Sequence, residues 1–114
     1  MAHEIRYIAF DRRAVAEMVR AFGTARGIGV TPGRVTDIEK GDDTVDITFE
    51  DDNARAATVK LSPSEAVACM LQRCQLRRYP VAQRFAKSVE VTGNALVLAM
   101  NGPARALPGQ PARR

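Results

Sequence analysis

Residues 62–70 read SPSEAVACM, and residues 11–18 read DRRAVAEM. In the later stretch Ser62 sits at a helix cap, Pro63 at N1 and Glu65 at N3, a full capping box. Val67, Met70, Leu71 and Cys74 then fall at i, i+3, i+4 and i+7, one face of a helix. Tyr79 precedes Pro80, a position biased away from helix, so the helix is predicted to end near residue 77 or 78. The earlier stretch is built alike. Asp11 is a good N-cap, and Phe10 and Val15 are placed for a hydrophobic staple. Val15, Met18, Val19 and Phe22 make the apolar stripe, and Gly23, Gly27 and Gly29 close it. Ala14-Val15-Ala16-x-Met18 thus recurs as Ala66-Val67-Ala68-x-Met70.

Strands flank both helices. EIRYIAF (4–10) is rich in Ile, Tyr and Phe, without clean alternation. RVTDIEK (34–40) and TVDITFE (44–50) form a hairpin, with Val45, Ile47 and Phe49 on one face. ARAATVKL (54–61) follows with Ala57, Val59 and Leu61 inward, which puts Lys60 opposite Asp46. KSVEV and ALVLAM make a last hairpin whose two-residue Gly93-Asn94 loop suits a type II′ turn. Val89 and Val91 then share a face with Leu98 and Leu96.

The order β-α-β-β therefore occurs twice, in repeats spanning about residues 4–50 and 54–100 of a single domain over 1–100. After a one-residue slip Val30 matches Val81, Ile38-Glu39 matches Val89-Glu90, and Val45-x-Ile47-x-Phe49 matches Leu96-x-Leu98-x-Met100. One such unit has too little core to be secure alone, whereas two related by a pseudo-twofold axis cover each other. The expected fold is α+β: two tandem βαββ units forming a mainly antiparallel sheet of about six strands, with two helices packed on one face. Two short sheets joined edge to edge would serve the same pattern. Residues 101–114, rich in Pro, Gly and Arg, are expected to be a flexible tail.

At 114 residues, with 46% hydrophobic and 26% charged residues, the chain has the composition of a soluble globular protein. It has no apolar run long enough for a membrane span and no secretory leader pattern at MAHEIRYIAFDRR, so a cytoplasmic protein is expected. The net charge of +4 is unevenly spread. Residues 36–52 hold eight acids and one lysine, while residues 73–87 hold Arg73, Arg77, Arg78, Arg84 and Lys87 and no acid.

Cys69 and Cys74 are five apart, about 140° around a helix, so they neither bridge nor share a metal. Aligning AVAxM with AVAxM matches Cys74 to Phe22, a core position, and Cys69 to Glu17, an exposed or rim position. Arg73, Arg77, Arg84 and Lys87 are the candidate anion, nucleic-acid or acidic-partner surface. Basic groups at a helix C-terminus also complement its dipole, which needs no ligand. Only Tyr79 and Phe85 stand nearby to stack on bases, and the strands lack the aromatic, Gly-rich motif of RNA-recognition domains.

The acidic hairpin lacks the pattern of a calcium loop, and GTARGIGVTPGR runs from helix to strand, the wrong context for a phosphate loop. The duplicated layout resembles that of the tautomerases, whose chemistry rests on an N-terminal proline; residue 2 here is Ala2, so the resemblance implies no activity. No catalytic, cofactor or metal residue is assigned. The expectation is a non-enzymatic protein-interaction or assembly module. Its partner is another protein or a second copy, with the acidic 37–52 hairpin against the basic 73–87 stretch. Nucleic-acid binding by the basic edge of the second helix is the alternative.

Overall fold

The computed structural model describes residues 2–27 and 32–104. Within them run β1 (His3–Phe10), α1 (Arg12–Ala25), β2 (Arg34–Lys40), β3 (Val45–Glu50), β4 (Ala56–Leu61), α2 (Pro63–Arg77), β5 (Ala86–Thr92) and β6 (Ala95–Pro103). The fold is α+β, with two helices and six antiparallel strands, and its β-α-β-β order occurs twice. Both caps form. The Asp11 carboxylate accepts from the Ala14 N–H at 2.9 Å. Ser62 and Glu65 exchange side-chain and backbone bonds at 3.1 and 2.9 Å, which holds the Glu65 carboxyl below its usual range. Phe10 and Val15 are both buried at the staple positions. α2 ends at Arg77, and Arg78 turns left-handed behind it. α1 passes through Gly23 and stops at Ala25; Gly29, Val30 and residues 105–114 lie outside the described residues. β6 reaches Pro103, so the strand takes up residues expected to open the tail.

The single six-stranded sheet is replaced by two sheets of three, in the orders β1-β6-β5 and β4-β3-β2. Each sheet combines the hairpin of one repeat with the first strand of the other. β1 reaches across the chain to β6, pairing Tyr7 with Ala99 and Ile8 with Leu98. β4 does the same for β3, pairing Val45 with Leu61 and Ile47 with Val59. The physical reason is completion: an isolated two-stranded hairpin is marginal, and a third strand supplies both a ladder and a wider apolar face. β2 and β5, the strands at the inner edges, pack beside one another without a ladder. β1 and β4 are left as the two outer edges.

Ile47, Phe49, Leu96, Leu98 and Met100 point into a core closed by Val15, Met18, Val19 and Phe22 from α1 and by Ala66, Cys69, Met70 and Cys74 from α2. Burial of each large apolar side chain contributes about 1.5–3 kcal/mol. Three buried pairs align when each α2 number is its α1 counterpart plus 51, Val15 with Ala66, Met18 with Cys69 and Val19 with Met70, whereas the buried Cys74 meets Phe22 only in the AVAxM register, as the sequence predicts. The shift of 51 is the register of the two caps, one residue off that of the AVAxM match. One residue is about 100° of helix, which is why Cys69 sits in the core and not at the rim, and why Val67 and Leu71 are only half-buried.

Candidate interaction surfaces

The four basic residues do not stand as one free row. In the register of the caps Arg73 is the counterpart of Phe22 and follows it inward. Its side chain is 15% exposed, and its guanidinium meets Glu17 of α1 at 3.0 Å, a link between the helices. Lys87 donates its ammonium protons to the carbonyls of Ala82, Gln83 and Phe85 at 3.0, 3.2 and 2.7 Å, fastening the loop before β5. Arg77 and Arg84 are exposed, at the last turn of α2 and on that loop.

The acidic hairpin divides by face. Asp46 pairs with Lys60 at 3.5 Å, in the register the alternation predicts, and accepts from the Thr44 hydroxyl at 2.6 Å. Glu39 lies directly opposite Asp46 and near Asp37. A hydrogen bond to Asp37, the charge of Asp37 and then that of Asp46 all raise the Glu39 carboxyl above its usual range. A group raised in the folded state favours folding at low pH and loses that contribution as pH rises through its folded pKa. Glu39→Gln is therefore expected to raise the thermal midpoint slightly at neutral pH and to change little at about pH 3, where both side chains are neutral. Paired melting curves at the two pH values check this.

Both cysteines are buried and free. Burial pushes the Cys69 thiol up to about 12 and raises that of Cys74 as well. Neither supplies thiolate at neutral pH. A thiol reagent such as Ellman's is expected to titrate neither cysteine in the native protein at pH 8 and both in denaturant; native reactivity at Cys69 would contradict its place in the core.

A groove of about 550 Å³ runs along α2, with Val45, Val67, Ala68, Leu71 and Val89 on its walls. The β2–β3 turn, Gly41 to Thr44, closes one side and brings Asp42 and Asp43 to the rim. A counterpart runs along α1, lined by Arg12, Arg13, Ala16, Glu17 and Arg20. The acidic turn and Lys87 thus meet at one groove of one molecule. Among the described residues no group of His, Cys, Asp and Glu is arranged to hold a metal ion, and no helix is long and apolar enough to cross a membrane.

The outer rows of the two sheets differ. On β4-β3-β2 the outer row carries Lys60, Thr58, Asp46, Thr48, Glu50, Asp37 and Glu39. On β1-β6-β5 the outer row carries Ile5, Tyr7 and Ala9 beside Val97 and Ala99. Ile5 is 50% and Tyr7 59% exposed, and both lie on the outer-edge strand β1. The sequence signal for this face was the imperfect alternation of EIRYIAF, which does not distinguish an outward apolar row from a strand buried on both sides.

No protein-family model matches the chain, and no curated protein or solved structure shows significant similarity to it.

Proposed function

We propose that the chain is a non-enzymatic assembly module that pairs with a second copy of itself along β1. The observation that carries this reading is the outer edge of the β1-β6-β5 sheet: an eight-residue strand with Ile5 and Tyr7 exposed on one row. Such an edge presents unpaired backbone donors and acceptors to another strand. The other outer edge, β4, is two residues shorter and has no large exposed apolar side chain.

The strand is also self-complementary. Glu4 and Arg6 lie on the same row and already form a 2.9 Å ion pair within the strand. Two antiparallel copies of β1 centred on Ile5 place Glu4 of each opposite Arg6 of the other, Ile5 opposite Ile5 and His3 opposite Tyr7. Centring on Arg6 would instead set two guanidiniums face to face. The interface is isologous, as closed dimers require, and it continues the sheet through six strands.

Sedimentation equilibrium tests this. The wild type is expected to dimerise with concentration, and Ile5→Lys or Arg6→Glu to weaken the dimer by roughly tenfold or more. Glu4→Arg with Arg6→Glu restores the opposition of charges and is expected to recover much of the affinity. A wild type that stays monomeric at high concentration, with its circular dichroism intact, overturns the reading.

The basic stretch 73–87, set against an acidic hairpin or a nucleic acid, has less to offer. Arg73 and Lys87 are engaged within the fold, which leaves Arg77, Arg78 and Arg84 for a partner. Three phosphate contacts would give a salt slope of about −2.1 to −2.7, against about −3.5 to −4.5 for all five basic residues.

A further inference from the structure

The two helix grooves are equivalent positions with different contents. The α1 groove is lined by positions 12, 13, 16, 17 and 20, and the α2 groove by 63, 64, 67, 68 and 71, each α2 number being its α1 counterpart plus 51. In the α1 groove, which still holds about 500 Å³ of open space, arginines of the same chain line the wall and reach neighbouring acceptors. The Arg12 guanidinium donates to the Asn94 side-chain oxygen at 2.6 Å, tying the start of the helix to the β5–β6 turn. The Arg20 guanidinium donates to the Gly33 carbonyl and lies 5.9 Å from the centre of the Phe49 ring. In the α2 groove the corresponding residues are Pro63 and Leu71, which reach no turn and fill no polar space. The acceptor persists. By the same shift Asn94, second residue of the two-residue β5–β6 turn, corresponds to Asp43 in the β2–β3 turn, where the Gly41 N–H donates to the Thr44 carbonyl at 2.8 Å.

The α2 groove therefore keeps an acceptor for a guanidinium, with a carboxylate in place of an amide, and lacks the arginine. Neither lysine at the groove substitutes: the Lys87 ammonium is turned onto three carbonyls, and Lys40 forms no ion pair with Asp42 or Asp43. Asp42 and Asp43 form no ion pair among the described residues. We propose that this groove binds an arginine side chain presented by a segment of a partner protein. Its aliphatic stem lies along Val67, Ala68 and Leu71, and its guanidinium donates to Asp43, with Asp42 beside it. The groove, at about 550 Å³, is larger than one side chain and accommodates the residues on either side of the arginine. Lysine suits it less well, since a compact ammonium lacks the planar fork that reaches two acceptors at once.

The test is an NMR titration of the full isotope-labelled chain with the peptide acetyl-Ala-Arg-Ala-amide and with the same peptide carrying citrulline, which keeps the shape and loses the charge. Shifts are expected at Asp42, Asp43, Thr44, Val67 and Leu71, with the citrulline peptide and the Asp43→Ala variant each binding about tenfold more weakly. Leu71→Arg, which installs the α1 side chain at its equivalent place, is expected to abolish binding while circular dichroism stays unchanged. Shifts confined to other surfaces, equal binding of the two peptides, or undiminished binding by Leu71→Arg would overturn the proposal. So would tighter peptide binding by a chain with Arg105, Arg113 and Arg114 changed to Gln, since the groove would then belong to the chain's own arginines. None of these readouts depends on pairing along β1.

Discussion

Gly33→Ala is expected to destabilise the fold by about 3 kcal/mol or more. Gly33 has φ +100°, a conformation that side-chain-bearing residues rarely adopt. A Cβ there would also sit 2.2 Å from the Glu50 carbonyl oxygen and 2.9 Å from the Asp51 nitrogen. Both neighbours are backbone, so no side chain can swing aside. The end of β3 would have to move, taking with it the Arg34–Glu50 rung that opens the β2–β3 ladder. The Arg20 bond to the Gly33 carbonyl would be disturbed as well. Urea unfolding should show a lower midpoint at unchanged slope. A loss below about 1 kcal/mol would mean that β2 does not enter its sheet this way.

Leu98→Ala is expected to cost about 2–5 kcal/mol, a large share of the roughly 5–15 kcal/mol typical of a domain. Leu98 is fully buried on the central strand of its sheet, opposite Ile8 on one side and Val89 on the other. Truncation opens a cavity among residues from both repeats, and a central strand has little freedom to collapse into it. Val97→Thr, one residue away on the outer row, is the informative comparison. Val97 owes its low exposure to the flanking strands β1 and β5 and stands outside the core cluster, so this change is expected to cost less than Leu98→Ala, within the about 1–3 kcal/mol of a buried hydroxyl. Equal costs for the two would place the core on both faces of the sheet.

Much of the local structure was legible in the sequence because local rules govern it. Asp11 and Ser62 marked the helix starts, and Tyr79-Pro80 set the end of α2. The alternation of Val45, Ile47 and Phe49 gave the β3–β4 register and the Asp46–Lys60 pair. Positive φ at Gly93 alone of its two turn residues fits the type II′ loop. What alternation cannot supply is the partner strand. It tells which side of β1 is apolar and says nothing of whether β1 joins its own repeat's hairpin or the other one, so the crossing to β6 was hidden. Cys69 went to the wrong face for a different reason. The AVAxM match rests on small apolar residues and holds for Cys74, whereas the caps are held by hydrogen bonds and give the alignment that buries Cys69. Arg73 and Lys87 looked free because their partners are remote or backbone: Glu17 lies 56 residues away, and no pattern announces three loop carbonyls.

The crossing of β1 also explains why this edge is available. In an uncrossed sheet the first strand would lie beside its own hairpin; here it ends a sheet whose hairpin comes from the far half of the chain. The β4 edge shows no large exposed apolar side chain, while β1 keeps Ile5 and Tyr7 in the open. The most direct measurement is an isotope-filtered NOE experiment on an equal mixture of labelled and unlabelled chains. Pairing along β1 predicts contacts between copies that centre on Ile5 and join Glu4 of one to Arg6 of the other. An absence of contacts between copies at concentrations where the protein is dimeric, or contacts confined to the α2 groove or the acidic hairpin, would contradict it.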